Sequence, residues 1–386
     1  MSIQPFTISI SPFVIEDLRE RLGRTRWPDE ITGSQWDYGT NLAYLKDLCT
    51  HWGHGFDWKE QEEALNTFPH FMAPVNGYNL HFLHEKGKGA HSIPLLLIHG
   101  FPDSFVRFLK LIPLLIEEGP NGISFDVIIP SIPGFGFSQR PSTPGMHTGR
   151  VAELFAGLMT RLGYEKFMIH GGDWGSSVSE ELAIQFPDRI LGMHLMDVPF
   201  HHLFSLQPED MTPKEKEFLQ AGQKWRNEEG AYAMLQGTKP QTLAYAVNDS
   251  PAGLAAWIIE KFHSWSDCSG DLESTYTRDE LLTNCTIYWV TQTAGSAFRL
   301  YYERMHHPSK ATGKRTKVPA AFCISARDLV PAPREFAERF FTIQQWTELP
   351  AGGHFAAMEQ PQRLAEDLCR FAEKITAGSM ASTTTV

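Results

Sequence analysis

The chain has 386 residues, 42% of them hydrophobic and 12% aromatic, which suffices for a large buried core and about two domains. A formal net charge of −11 and an isoelectric point near 5.8 argue against nucleic acid or an anionic membrane surface as the main partner. These properties leave a globular protein of enzyme size as the first expectation.

The cysteines and the first residues indicate the environment of the protein. Five cysteines are scattered along the chain without CxxC spacing, so neither a disulfide framework nor a zinc site is expected. Residues 1–13 lack a basic segment followed by an apolar one, and no run reaches the ~20 apolar residues that span a bilayer. We therefore expect a cytoplasmic protein with reduced thiols and no membrane partner.

Residues 1–90 are rich in tryptophan and proline and are predicted to form an N-terminal segment that wraps around another part of the fold. Amphipathic patterns at 14–22 and 42–52 predict two helices. Alternating side chains at 78–84 predict a strand that leads into the next part of the chain.

Short apolar runs alternate with helical patterns through residues 91–199. Strands are predicted at 94–98, 125–129, 166–169 and 190–196, and helices at 105–117, 151–162 and 177–185. This alternation is typical of βαβ units, which build a mostly parallel sheet covered by helices on both faces. We expect this sheet to be the catalytic core.

The alternation stops at residues 200–315, which are helical in pattern and rich in Trp and Tyr, and it resumes at 316–376. In the second stretch we predict strands at 320–324 and 345–349 and helices at 335–341 and 362–374. A helical insertion in such a sheet is expected to cap the carboxyl ends of the strands, where ligands bind. The small polar residues at 377–386 predict a disordered, frayed tail.

The stretch at 167–176 has the pattern of a strand, a sharp turn and a helix, with Asp173 at the apex. Gly171 and Gly175 allow a tight turn and a close approach of strand and helix, as in a nucleophile elbow. A carboxylate there suits displacement at an sp³ carbon, because it is ionised near neutral pH and forms an ester that water can cleave. An ordinary Gly-Asp turn is the alternative interpretation.

Two further residues follow the elbow in the chain order nucleophile, acid, histidine. His354, in a glycine-flanked loop after the last strand, can reach the elbow and act as a base with a pKa near neutrality. Asp328, just after the strand at 320–324, could orient the imidazole. Asp197 competes for that role, because its loop also opens on the carboxyl edge of the sheet.

Other candidate residues come from the loop at 99–102 and from the predicted cap. The Phe101 N–H, after a central strand, could pair with that of Trp174 to form an oxyanion hole. Tyr232 and Tyr301 lie in the predicted cap. A lone tyrosine on a helix normally packs in the core with its hydroxyl hydrogen-bonded, and only the context marks these two as candidates.

In this order, the motifs resemble those of epoxide hydrolases of the microsomal type within the α/β-hydrolase superfamily, over residues 4–374. The motifs that carry the resemblance are Thr25-Arg26-Trp27-Pro28, His99-Gly100-Phe101-Pro102, Pro133-Gly134-Phe135-Gly136, the elbow at 171–176, the cap segments 238–242 and 249–254, and Gly352-Gly353-His354-Phe355. The resemblance implies an α/β-hydrolase fold with a mostly parallel sheet flanked by helices, a helical cap and the N-terminal wrapping segment.

The resemblance also implies a reaction and a role for each site residue. A hydrophobic epoxide would be converted to a vicinal diol through a hydroxyalkyl ester, with no metal or organic cofactor. The implied roles are nucleophile for Asp173, base for His354, acid for Asp328 in preference to Asp197, oxirane-binding acids for Tyr232 and Tyr301, and oxyanion and substrate contacts for Phe101 and Trp174. The chain departs from the family pattern in two respects. Phe101 stands where many relatives carry Trp. The N-terminal membrane anchor of the animal members is absent, so the chain is expected to resemble the soluble fungal or bacterial members.

Two other functions are compatible with an Asp at the elbow. A haloalkane dehalogenase shares the nucleophile but typically has Asn where Phe101 sits and needs a halide pocket, so Phe101 and the cap tyrosines argue against it. A non-catalytic ligand-binding protein of the same fold has no need for both His354 and Asp328. The resemblance leans towards a homodimer, which the aromatic N-terminal segment and the cap could support.

Overall fold

The computed structural model describes residues 2–119 and 122–383 and is organised around one sheet of nine strands. The strands are β1 (Gln4–Phe6), β2 (His70–Val75), β3 (Tyr78–Glu85), β4 (His91–Ile98), β5 (Ile123–Pro130), β6 (Phe167–Gly171), β7 (Ile190–Leu195), β8 (Pro319–Ser325) and β9 (Thr342–Leu349). Their order across the sheet is β1-β2-β3-β5-β4-β6-β7-β8-β9. Strands β4 to β9 pair in parallel, whereas β1 to β3 add an antiparallel edge. The predicted mostly parallel sheet is confirmed.

Helices flank this sheet and build a separate layer above its carboxyl end. They are α1 (Pro12–Gly23), α2 (Leu42–His54), α3 (Trp58–Leu65), α4 (Ile112–Ile116), α5 (Thr148–Arg161), α6 (Trp174–Gln185), α7 (Pro213–Glu228), α8 (Ala231–Thr238), α9 (Pro240–Asp249), α10 (Pro251–Trp265), α11 (Arg278–Thr291), α12 (Ala294–His306), α13 (Arg334–Ala337), α14 (Ala356–Glu359) and α15 (Pro361–Thr383). Against the sheet, α5 packs with α6 and α4 packs with α15. Within the described ranges, no helix combines the length and the apolar character needed to cross a bilayer.

The N-terminal segment contributes strands as well as wrapping helices. Gln4 of β1 lies opposite Met72 of β2, and His70 of β2 lies opposite Leu83 of β3, so all three strands belong to the main sheet. The sequence predicts only β3, because β1 has three residues and β2 contains Pro74, which lacks a ladder N–H. The boundary drawn at residue 90 therefore runs through the sheet.

The insertion between β7 and β8 is helical, as predicted, and consists of α7 to α12. In this cap, α12 packs on α8 and α9, and α10 packs on α9 and α11. Helices α1 and α2 of the N-terminal segment contact α10. The buried Trp52 Nε1 donates to Thr286 Oγ1 at 2.9 Å and joins α2 to α11.

Three predicted elements differ from the structure. The helix expected at 105–117 is a 3₁₀ turn at Phe105–Phe108 followed by α4, because Pro113 can occupy a first turn but cannot continue a helix. The helix expected at 335–341 is the four-residue α13, since the chain must turn into β9. The predicted frayed tail is wrong over 377–383, where α15 continues to Thr383, because extending an existing helix costs less than nucleating a new one; residues 384–386 lie outside the described residues.

Candidate active site

Asp173 occupies the turn between β6 and α6 with a φ of 59°, in the left-handed region of backbone space. This conformation is costly for a residue with a side chain and persists only where the surroundings enforce it. A Cβ on Gly171 would lie 2.3 Å from the Gly175 carbonyl carbon, and one on Gly175 would lie 2.0 Å from the Ile98 oxygen. Backbone packing that only glycine permits therefore places Asp173 at the apex, as the sequence predicts.

Both carboxylate oxygens of Asp173 lie close to polar groups of other loops. Its Oδ1 accepts a hydrogen bond from the Phe101 N–H at 2.9 Å, and its Oδ2 lies 3.5 Å from His354 Nε2. The Asp173 N–H donates to Asp197 Oδ1 at 2.9 Å, and Ser176 Oγ donates to the same oxygen at 2.8 Å. Asp197 thus braces the backbone of the elbow.

His354 lies in the loop between β9 and α14, and its side chain is only 3% exposed. Its Nδ1 lies 2.7 Å from Asp328 Oδ1, which also accepts the Leu329 N–H at 2.7 Å. Of the two carboxylates that the residues alone leave open, Asp328 is therefore the one that pairs with the imidazole. The backbone N–H of His354 donates to the Trp265 carbonyl at 2.8 Å, which fixes the loop against α10 of the cap.

The charges in the site hold a proton on His354. Burial lowers the pKa of His354, but the charges and hydrogen bonds of Asp328 and Asp173 outweigh burial and raise this pKa to about 10. Burial acts to raise the pKa of Asp328, yet its pairing with His354 leaves that pKa below its usual value. Burial and the nearby Asp328 raise the pKa of Asp197 to about 7. The free site therefore has an imidazolium between two carboxylates.

Two tyrosines of the cap, Tyr232 on α8 and Tyr301 on α12, are buried next to the elbow. Their ring centroids lie 5.8 Å apart, and the Tyr301 ring meets Trp174 edge-on at 4.7 Å. Burial and the charge of Asp173 raise the pKa of both hydroxyls. Both phenols therefore remain protonated at neutral pH and can donate.

A cavity of about 300 Å³ brings the predicted site residues together. Asp173, Trp174, Asp328 and His354 line it from the sheet, and Tyr232 and Tyr301 line it from the cap. Apolar and aromatic side chains form most of the remaining wall, among them Val198, Phe200, Trp225, Met234, Leu329 and Val330. An apolar wall lowers the local dielectric constant and so strengthens the electrostatic interactions among the polar groups inside.

The predicted substrate contact of Phe101 is not found, because its side chain lies behind the cavity wall. It is 1% exposed and is not among the lining residues, and its ring packs against Tyr232 and Tyr301 at 6.3 and 5.8 Å between centroids. Its N–H still reaches Asp173. The cap residues Trp225 and Met234 line the cavity without having been singled out, since the only signal for them was the aromatic composition of the cap.

Two groups of His, Cys and carboxylate side chains lie outside the cavity wall: Glu180, His201 and His202, and His194, Cys323 and Asp367. In both groups a histidine already pairs with the carboxylate, at 2.6 Å for His202 Nε2 with Glu180 Oε1 and at 3.0 Å for His194 Nε2 with Asp367 Oδ2. Both ring nitrogens of His194 are bonded, since its Nδ1 also lies 2.9 Å from His170 Nδ1. In the first group, His202 Nδ1, His201 Nε2 and Glu180 Oε2 are buried without a hydrogen-bond partner among the described residues.

Two protein families and several known proteins match this chain. Residues 3–108 match the family described as epoxide hydrolase N terminus, and residues 93–249 match the family described as alpha/beta hydrolase fold. The chain is 37% identical over 407 aligned residues to epoxide hydrolase 1 of Oryctolagus cuniculus, covering 96% of this chain and 88% of that one.

Solved structures give the same result. The crystal structure of juvenile hormone epoxide hydrolase from Bombyx mori superposes with a TM-score of 0.86 and 30% identity, over 97% of this chain and 94% of that one. The structure of the Aspergillus niger epoxide hydrolase superposes with a TM-score of 0.84 and 29% identity, over 97% of each chain. The chain therefore belongs to the epoxide hydrolase family of the α/β-hydrolase fold.

Proposed function

We propose that this protein hydrolyses small hydrophobic epoxides to vicinal diols through a covalent ester on Asp173. The observation that carries the proposal is the convergence of Asp173, His354 and two tyrosine hydroxyls in one mostly apolar cavity. An epoxide must be attacked at carbon and protonated at oxygen, and a carboxylate with two neutral phenols provides both functions.

In the first step, a carboxylate oxygen of Asp173 attacks a ring carbon and the bond from that carbon to the epoxide oxygen breaks. Tyr232 and Tyr301 bind the epoxide oxygen, and one of them transfers its proton as the alkoxide forms. The products are a hydroxyalkyl ester and a tyrosinate. Each phenol is protonated before the reaction, since burial raises its pKa.

In the second step, water attacks the carboxyl carbon of Asp173 and releases the diol. His354 Nε2, which lies 3.5 Å from Asp173 Oδ2, takes a proton from that water, and Asp328 holds the imidazole by its Nδ1. The N–H groups of Phe101 and Trp174 stabilise the oxyanion that forms on the carboxyl group. The second proton of the water passes to the leaving oxygen of the diol as the ester bond breaks, and Asp173 returns to its free carboxylate.

Ester formation itself prepares His354 for the second step. Asp173 is one of the two carboxylates that raise the pKa of His354, and the ester removes that charge. The pKa of the imidazole then falls, and the released proton can return to the tyrosinate. The proton that His354 later takes from water restores the starting state, so the two steps balance as epoxide plus water giving diol.

The cavity limits the size and polarity of the substrate. Its volume of about 300 Å³ is at the lower end of the range typical of small-molecule pockets. Most of its wall is apolar, and its polar lining includes Asp173, the two tyrosines and Arg226 of α7. A compact epoxide with one aromatic or branched aliphatic substituent, such as styrene oxide, fits this description.

We also propose that the protein is cytoplasmic, as its first residues and its lack of a long apolar run suggest, and that it is a homodimer, towards which the family resemblance leans. The support for a dimer is the aromatic surface that the N-terminal segment and the cap provide, where Tyr38 and Tyr245 have 82% and 72% of their surface exposed.

A single turnover in H₂¹⁸O tests the covalent scheme. With enzyme in excess over styrene oxide, the diol should contain no heavy oxygen, because its new oxygen comes from Asp173, and mass spectrometry should find the label in the Asp173 peptide. Label in the diol would instead mean direct attack by water. If the wild type forms no diol from a panel of epoxides but releases halide from a chloroalkane, the dehalogenase function replaces this one.

The tyrosines should act in the first step. We expect Tyr232→Phe and Tyr301→Phe each to slow ester formation by about tenfold or more, and the double variant by about 10³-fold, since general acids contribute on that order. Rapid-quench mass spectrometry of the ester measures this rate. Tyr288→Phe is the matched control, because its buried hydroxyl donates to the Asp103 carbonyl and does not line the cavity. An unchanged rate in the double variant would remove the tyrosines from the scheme.

A further inference from the structure

Lys261 on α10 of the cap is a nearly buried cation close to the proposed active site. Its side chain is 7% exposed. A buried ammonium group is costly unless it is paired, and here the Nζ lies 2.6 Å from Glu260 Oε2 and 3.6 Å from Glu229 Oε2. Pairing explains how the charge is tolerated, but it does not explain why a lysine is placed at this position.

The position of the ammonium group is defined by aromatic rings of the site. Its Nζ lies 4.9 Å from the ring centroid of Tyr232 and 5.6 Å from that of Trp265. The Trp265 ring in turn lies 5.2 Å from Tyr232 and 5.3 Å from His354. Lys261 does not line the cavity, so any effect on substrate must act through these rings.

We propose that Lys261 is a positioning residue that promotes proton donation by Tyr232 during epoxide opening. The inference rests on the proposed function, in which the tyrosines protonate the epoxide oxygen. When a phenol gives up its proton, negative charge spreads over the ring and the oxygen. A desolvated cation next to the ring stabilises that charge more than it stabilises the neutral phenol.

The groups that face Tyr232 determine the sign of the effect. Burial raises the pKa of Tyr232 most, and the charges of Asp173 at the elbow and of Glu260 and Glu229 raise it further, whereas the neighbouring Tyr301 lowers it. Lys261 is paired with both glutamates and offsets their field at the ring. Removing the ammonium group leaves the two carboxylates unopposed, so Tyr232 becomes a weaker acid and ring opening slows.

The test measures ester formation separately from ester hydrolysis. In a His354→Gln background, where the ester accumulates, intact-protein mass spectrometry gives the rate at which styrene oxide labels the enzyme. We expect Lys261→Met to slow labelling by about tenfold or more, as a desolvated cation–π contact implies. Lys261→Arg should restore most of the rate. Adding Glu229→Gln to Lys261→Met should restore part of it, because it removes one unopposed carboxylate.

Two further variants complete the experiment. Lys261→Gln keeps a polar donor for Glu260 without the charge and replaces the methionine variant if that one does not fold. Lys86→Met is the matched control, because Lys86 Nζ also lies 4.9 Å from a tyrosine ring, that of Tyr164, and pairs with a carboxylate, Asp126, away from the cavity. Its labelling rate should equal that of the parent.

Each outcome separates the inference from the proposed function. Labelling of Lys261→Met and Lys261→Gln at the parental rate overturns the role of Lys261. Slow labelling that neither Lys261→Arg nor the added Glu229→Gln improves also overturns it, because it indicates loss of packing instead of loss of charge. If the wild type forms no diol and the His354→Gln enzyme forms no adduct, the proposed function itself fails.

Discussion

His354→Gln is expected to accumulate the enzyme ester while diol release falls by about 10³-fold or more. The physical reason is that attack on the epoxide needs only Asp173 and the tyrosines, whereas ester hydrolysis needs a base for water. Glutamine keeps the approximate size of the side chain but has no nitrogen that can accept a proton. Each enzyme molecule should therefore react with one substrate molecule and then stop.

Mass spectrometry of the intact protein and of its peptides measures this outcome. An adduct with the mass of the epoxide should appear on the peptide that contains Asp173, at close to one per chain. His51→Gln is the matched control, because His51 Nε2 also pairs with an aspartate, Asp279 Oδ1 at 2.7 Å, between α2 and the cap. Adduct-free protein together with lost turnover in His354→Gln would contradict the covalent scheme.

Asp173→Ala is expected to abolish both the adduct and the diol, with a loss of at least about 10⁴-fold in turnover. No other carboxylate among the described residues of the cavity wall occupies the apex of the elbow. Asp328 is paired with His354 through Nδ1, and Asp197 is bonded to the elbow backbone. Chromatographic assay of styrene oxide conversion, with the enantiomers of the diol resolved, gives the rate for both proteins.

Asp197→Asn distinguishes loss of the nucleophile from loss of any cavity carboxylate. Burial and Asp328 raise the pKa of Asp197 to about 7, so a large share of this carboxyl group is already neutral at neutral pH. Asparagine resembles that neutral form. The amide oxygen can still accept from the Asp173 N–H and from Ser176 Oγ. Turnover through the ester should therefore persist within about tenfold of the wild type. Equal loss in Asp173→Ala and Asp197→Asn would argue that the elbow conformation, and not the nucleophile, had been removed.

The two predictions depend on features of the molecule that the sequence predicts to different degrees. The elbow is local: a strand, Gly171, Asp173, Gly175 and a helix are consecutive, and the close approach of backbone that they allow is a property of that segment. The alternation that predicts the parallel sheet is equally local, and so is the helical character of the cap. These features were therefore predictable from neighbouring residues.

Features that depend on pairing between distant segments were not predictable in this way. The strands β1 and β2 are short or interrupted by proline, and only their partners in the sheet hold them in place. Likewise, Asp328 and Asp197 both follow strands that end at the same edge, so their order in the chain does not decide which one reaches His354 Nδ1. The structure assigns that contact to Asp328 and assigns Asp197 to the elbow.

The sequence by itself determined the type of sheet, the position of the cap along the chain and the apical Asp173, because each follows from the spacing of residues within one segment. Only the tertiary structure decided the pairing of His354, the apolar wall around the two tyrosines, the place of Phe101 behind that wall and the position of Lys261 above Tyr232. The physical reason is that side chains from the sheet and the cap meet through packing, and packing depends on the shapes and charges of residues that are far apart in the chain.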